Sequence, residues 1–353
     1  MIRRLTQQDI ARMAGVSQTT VSLVLNNRAD SEVRIAPETR ERVLRVIRET
    51  GYVADPVARR LADRRNRILG VFTYEAVFPA ASADFYHPFL VGIEECAEEA
   101  GCDLLLFTSG KAHGGRRRIF SEDSRVRLAD GCVLLGRTID RDDLARLIAE
   151  RIPFVSVGRR DDAGGPVPYV GADYPPAVRE LAERVVARGH RRLAYVGAGE
   201  GAESYADRMR GFREATAALG VEGVHLREPR LEDVLAAGVT AVFVEESADG
   251  VTLVQAARER GMSVPADLSV LALGALTRPV HIDIDFSGFR IPRREMGHRA
   301  VELLTQVLER GGTPRSCWPA SRWRARRWPR RPARHGDRAT SAADNPERCL
   351  SRA

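Results

Sequence analysis

Lysine is almost missing from this sequence: of 55 basic residues only Lys111 is not an arginine, a bias that GC-rich coding accounts for. Cysteine is scarce and scattered. Cys96, Cys102, Cys132, Cys317 and Cys349 form no CxxC pair and no close sequence cluster with histidine, which argues against a zinc site and against a disulfide framework. No stretch approaches the roughly 18 consecutive apolar residues of a membrane span. The opening MIRRLTQQDI has no apolar signal-peptide core. A cytoplasmic protein with no membrane contact, no metal and no cofactor is therefore expected.

Of the 353 residues, 44% are hydrophobic and 29% charged, enough for a sizeable core divided among two or three compact units. The charge is unevenly placed. Residues 1–67 carry 14 Arg against 8 acids and residues 315–353 carry 11 Arg against 3 acids, so an acidic body of net −7 lies between basic ends of +6 and +8. Basic ends of this kind point to a polyanionic partner.

Thr6, with Asp9 three residues on, resembles a capping box that opens a first helix through Ile10 and Met13 and stops at Gly15. In VSQTTVSLVLNN, Ser17 caps a second helix that ends near Asn26. A third begins with Pro37, turns Val43, Leu44 and Ile47 inward and ends at Gly51. Helix, glycine turn, helix is the helix-turn-helix layout. The polar N-terminal face of the second helix suits base edges in a major groove, a generic surface helix being the plainer alternative. ADPVARRLADRRNR then holds a single helix over 57–62, marginal alone in water.

From Ile68 the texture changes to ILGVF, DLLLF, CVLLG, PFVSV, YVGA, LAYVG, VTAVFV and LSVLAL, separated by helical stretches. Alternation of this kind indicates parallel sheets in an α/β body. The polar GRRDDAGGPVP divides these runs into two groups, YVGA opening the second, and predicts two doubly wound subdomains with a cleft between them.

Three sets of motifs, LTQQDIARMAGVSQTTVSLVLNN, APETRERVLRVIRETGYVADPVARRLA and the body segments HPFLVGIEECAEEAGCDLLLF, RGHRRLAYVG, RMRGFREA, VPADLSVLAL and EMGHRAVELL, resemble the lactose/galactose-repressor family of bacterial transcription regulators. The resemblance runs from about Leu5 to Gly312. It implies an α plus α/β fold: a three-helix headpiece over 1–54, a hinge helix and linker over 55–66, and over 67–314 a two-subdomain body resembling a periplasmic binding protein. It also implies a homodimer, with a tetramer left open, that binds a pseudo-palindromic double-stranded operator as a repressor gated by a small molecule. A regulator whose body only dimerises and senses nothing is the alternative.

In that family pattern Gln18, Thr19 and Leu23 fall on the main base-reading positions. Many members have a basic residue where Leu23 stands, so a guanine contact is expected to be lost, in favour of a base such as thymine with its methyl group. Ser17, Thr20, Ser22 and Asn26 suit phosphate contacts, or capping and packing. PVARRLA matches the hinge helix, with Leu61 as the minor-groove wedge and Ala58 at the approach of the partner hinge; a linker leucine packed on the body is the alternative. Arg208 matches an effector-contacting arginine, where residue type alone suggests only a solvated charge. Glu246 and Ser247 replace the family's usual Asn-Asp, and Gly158 followed by Arg159 replaces an acid. This departure argues against a routine sugar and leaves an acidic or less polar effector, or none. Phe85, Tyr86 and His87 fall where they line the cleft mouth or pack in the core.

GAGEGA, residues 197–202, satisfies a G-x-G-x-x-A pattern after LAYV and raises a dinucleotide-using α/β protein as a further alternative. No acid-terminated second strand follows at the required distance, and no catalytic constellation stands out, so a non-enzyme is expected. From Arg315 the chain becomes rich in arginine and holds all three tryptophans, Trp318, Trp323 and Trp328, where the family would supply an apolar strand closing the second subdomain. The composition fits a shifted reading frame, and a nucleic-acid arm is the alternative.

Overall fold

A computed structural model describes residues 5–25, 35–52, 66–75, 83–108, 112–113, 116–120, 124–161, 163–274 and 286–310. Asn26, the hinge segment with Ala58 and Leu61, and the tail lie outside the described residues. The chain divides into two compact units, Met1–Ile68 with Leu128–Asp130, and the remainder.

The first unit contains α1 (Gln7–Ala14), α2 (Gln18–Leu25) and α3 (Pro37–Thr50). Thr6 Oγ1 accepts from the Asp9 amide while the Asp9 carboxylate accepts from the Thr6 amide at 3.0 Å, which completes the capping box. Gly15 and Gly51, both left-handed, end α1 and α3. The helices close on Ile10, Ala11, Ala14, Val21, Val24 and Val43. This follows the apolar spacing of the sequence.

The second unit holds two five-stranded parallel sheets. The first sheet is built from β1 (Ile68–Thr73), β2 (Asp103–Phe107), β5 (Gly131–Leu135), β6 (Phe154–Val157) and β7 (Tyr169–Val170), in the order β2-β1-β5-β6-β7. A short hairpin of β3 (Ala112–His113) and β4 (Arg116–Arg117) stands apart from it. The second sheet has the order β12-β11-β10-β8-β9, from β8 (Arg192–Val196), β9 (Glu222–Leu226), β10 (Ala241–Val244), β11 (Ser269–Ala272) and β12 (Ser287–Gly288). Both orders are doubly wound, with a switch point between the first and third strand of each sheet.

One expectation is corrected. YVGA belongs to the first group of strands, because β7 pairs with β6 and the Gly158 amide donates to Val170 O at 2.7 Å. GRRDDAGGPVP is therefore a loop inside one sheet. The closing helix α10 (Arg293–Arg310) returns to the first sheet, where Met296, Ala300, Val301, Leu304 and Val307 join Val71, Val133 and Val155 in one core. The second sheet has five strands among the described residues.

In the second sheet, Leu193 and Tyr195 face α6 (Tyr174–Val186) and α7 (Glu203–Ala218), whereas Ala194 and Val196 face α8 (Leu231–Ala236) and α9 (Ser247–Glu259). Burial on both faces explains why the strands read as unbroken apolar runs. In the first subdomain, which also contains α5 (Arg141–Ala149), α10 packs closely on α4 (Ala83–Glu99) through two glycines. A Cβ on Gly92 would lie 1.9 Å from Arg294 O, and one on Gly297 2.2 Å from Phe89 O.

Candidate nucleic-acid interface and ligand cleft

In α2 the side chains of Val21 and Val24 enter the headpiece core. Helical spacing then puts Gln18 and Ser22 on one side of the outer face and Thr19 and Leu23 beside them. Gln18 and Thr19 are exposed; Ser22 and Leu23 are partly covered. Ser17 and Thr20 are occupied locally: Ser17 Oγ accepts the Thr20 amide at 3.1 Å and lies 2.9 Å from Thr20 Oγ1. The Ser17 hydroxyl caps α2 with Thr20 Oγ1 tied to it, while Gln18 and Thr19 are presented outward and Leu23 is partly covered. None of the described helices is long and apolar enough to cross a membrane.

In the second unit a cavity of about 80 Å³ opens at the carboxyl ends of the central strands of both sheets. It is where a ligand binds in doubly wound folds. Arg137 follows β5, Gly158 follows β6, Glu246 follows β10, Tyr205 and Arg208 stand on α7, and Arg293 opens α10. Phe85, Tyr174 and Ile291 supply apolar wall. Arg208 lies over the Tyr174 ring at 4.6 Å, and Phe85 has Arg137 at 4.7 Å and Arg293 at 5.0 Å from its centroid. Arg208 is 6% exposed and donates to the Glu245 carbonyl at 3.3 Å.

Acidic partners are unevenly shared. Arg137 pairs with Glu246 at 3.1 Å, and Glu246 also accepts from Tyr205 Oη at 2.7 Å. Arg160, missed in the sequence, is buried and pairs with Glu203 at 3.1 Å while donating to Gly136 O at 2.6 Å. Burial, with the neighbouring guanidinium groups of Arg208 and Arg137, pulls Arg293 down to about 10. Burial likewise raises Glu245 above the usual carboxylate range, against hydrogen bonds from Tyr195 Oη and the Gly199 amide, both 2.7 Å.

Of the residues expected at an effector, Arg208 and Glu246 line the cavity, as do Phe85 and Tyr86. Arg159 and Ser247 are outside the lining. Arg159 is held by Asp207 at 3.0 Å and by Asp161, and Ser247 Oγ donates to Gly274 O at 2.9 Å. His87 is exposed and also outside the lining. Arg137 and Arg293 carried no local signal in so arginine-rich a chain.

The GAGEGA loop is filled by the protein itself. Glu245 Oε2 takes the Gly199 amide, and a Cβ on Gly197, whose φ is 141°, would meet Glu245 Cβ at 2.4 Å. The glycines make room for this carboxylate, which takes the amide that a pyrophosphate would need. Elsewhere the fold brings together Cys96, Glu99 and His298, whose ligand atoms all lie within 4.8 Å of one another, a grouping that sequence spacing does not show. His298 there lies between Glu99 at 3.3 Å and Glu302 at 3.5 Å, and burial pushes the Cys96 thiol up to about 11, away from the thiolate a metal needs.

Comparison with known proteins agrees with this architecture. Residues 6–55 match the family model described as bacterial regulatory proteins, lacI family, and residues 182–327 match the periplasmic binding protein-like domain. The HTH-type transcriptional regulator CelR of Thermobifida fusca is 30% identical over 326 residues, 86% of this chain and 91% of the relative. Catabolite control protein A of Priestia megaterium is 25% identical, over 86% of this chain and 93% of its own. Among solved structures, a CelR–cellobiose complex has a TM-score of 0.57 at 27% identity, covering 88% of this chain and 95% of its own. The lac repressor dimer bound to operator and the anti-inducer ONPF has a TM-score of 0.65 at 20% identity, covering 87% and 93%. The chain belongs to the lacI family of bacterial regulatory proteins, and it is a DNA-binding transcription regulator.

Proposed function

We propose that this regulator is a cytoplasmic repressor with no catalysis of its own, which binds a pseudo-palindromic operator as a homodimer and is gated by a small molecule in the cleft. The observation that carries the reading is the outer face of α2, where Gln18 and Thr19 are exposed opposite the buried Val21 and Val24. Gln18, Thr19 and Leu23 read base edges in the major groove. Ser17 and Thr20 act by fixing the start of α2, and Ser22 and Asn26 contact phosphate. Leu61 wedges the minor groove at the operator centre with Ala58 at the partner hinge. In the body, Arg208 and Glu246 contact the effector, with Arg159 and Ser247 holding the walls.

The test compares two variants on the same set of duplexes. Gln18→Ala is expected to change which base is preferred at one symmetric pair of positions, whereas Ser17→Ala weakens all sequences by a similar factor. Identical sequence preference in wild type and Gln18→Ala contradicts base reading by α2.

A further inference from the structure

Among the described residues, two of the four arginines that line the cleft have no acid at ion-pair distance. Arg137 is matched by Glu246, Arg160 by Glu203, and Arg159 by Asp207 and Asp161. Arg208 and Arg293 have no carboxylate partner among the described residues. The Nε atoms of Arg208, Arg293 and Arg160 are buried with no hydrogen-bond partner. Burying such donors without an acceptor is costly unless a ligand takes them up. The described lining offers one carboxylate, Glu246, whose Oε1 already accepts from Arg137 and Tyr205. A hydroxyl-rich neutral sugar would find donors in excess and few free acceptors.

We propose that the effector is a small organic anion whose carboxylate or phosphoryl group is held by Arg208 and Arg293 and whose planar or apolar body lies between Phe85 and Tyr174. Guanidinium forks match both oxyanions in geometry and charge. The aromatic faces already stacked on these arginines hold them in place before the ligand arrives. A cavity of about 80 Å³ suits a compact acid rather than an extended one. This inference rests on the reading of the cleft as the effector site and adds the ligand's chemical class.

The experiment uses the full chain, wild type and Arg293→Met, with benzoate, phenyl phosphate, benzamide, glucose and cellobiose at matched ionic strength. Binding is followed by calorimetry and melting temperature. Benzoate or phenyl phosphate is expected to bind one per chain and raise the melting temperature, with affinity at least about tenfold weaker in Arg293→Met. The tighter of the two assigns the carboxylate or the phosphoryl form. Benzamide and the sugars should not bind. Without ligand, Arg293→Met should melt above wild type, because a buried charge without a counterion has been removed.

A neutral compound that binds as well as the anions overturns the proposal. So does failure of both anions to bind, or an Arg293→Met protein that melts lower than wild type, which makes these arginines structural. Affinity for operator DNA is measured alongside. An anion that binds without changing DNA affinity preserves this inference and removes gating through the cleft; release of DNA by a neutral sugar does the reverse.

Discussion

Replacing Gly92 by alanine tests how the first subdomain is held together. The new methyl carbon would sit 1.9 Å from Arg294 O and 2.9 Å from His298 N, against an ordinary contact of 3.4 Å or more. The obstacle is helix backbone, which no rotamer change can move aside. Relief requires α4 and α10 to part by about 1.5 Å, the difference between those two distances. A gap of about 0.5–1 Å already forfeits a quarter to a half of a dispersion contact. The seam contains Ile93, Ala97, Ala300, Val301 and Leu304, all 1% exposed or less. Overpacking costs about 1–3 kcal/mol, and the backbone clash places this case near about 3 kcal/mol. For a body of this size that corresponds to a fall of roughly 6–12 °C in melting temperature.

Gly297→Ala meets Phe89 O at 2.2 Å and should behave alike. The double variant should cost less than the two singles together, because one separation relieves both clashes. Thermal and urea unfolding of the full chain measure this. A Gly92→Ala protein that melts with wild type, or strictly additive losses, would refute the reasoning.

Other predictions follow from single contacts. Glu245→Gln keeps an oxygen for Tyr195 Oη and the Gly199 amide, both of which use Oε2. Because burial raises the Glu245 carboxyl, the folded state holds its proton to higher pH than the unfolded chain, and this stabilisation is complete below the ordinary carboxylate range and lost as pH rises through the folded value. Glu245→Gln should therefore be more stable than wild type at neutral pH, the gap closing as pH falls, in melts recorded across pH; Glu245→Ala should be less stable throughout. Thr6→Ala removes the capping box of α1 and should cost about 1 kcal/mol, read as about fivefold faster hydrogen exchange of the α1 amides. Leu23→Arg should add a guanine preference worth about 1–3 kcal/mol, visible as a new base in selected sites. Leu61→Ala should weaken operator binding far more than non-specific binding, measured by competition, and equal loss of both would remove the wedge.

The strands with two buried faces were legible in the sequence because they are continuous apolar runs: β1, β5, β6, β8, β10 and β11 all fall on them. The edge strand β9, EGVHL, is half solvated and has no such run, and β12 is two residues long. The headpiece was legible for a different reason, since caps and glycine stops are local chemistry. Arg208 and Glu246 stood out through the family pattern. Arg137 and Arg293 did not, because a charge becomes informative only when the fold buries it beside other charges, and the fold brings chain positions 137 and 293 to the same ring, Phe85. The same holds for Glu245, which fills the GAGEGA loop from 46 residues away.

Selection of bound duplexes from a random pool by the purified full chain at near-physiological salt addresses the central claim most directly. Recovery of an inverted repeat is predicted, with each half-site read by one α2 and the two-fold axis falling between them. Enrichment of no common sequence, with binding that only weakens as salt rises, would contradict it.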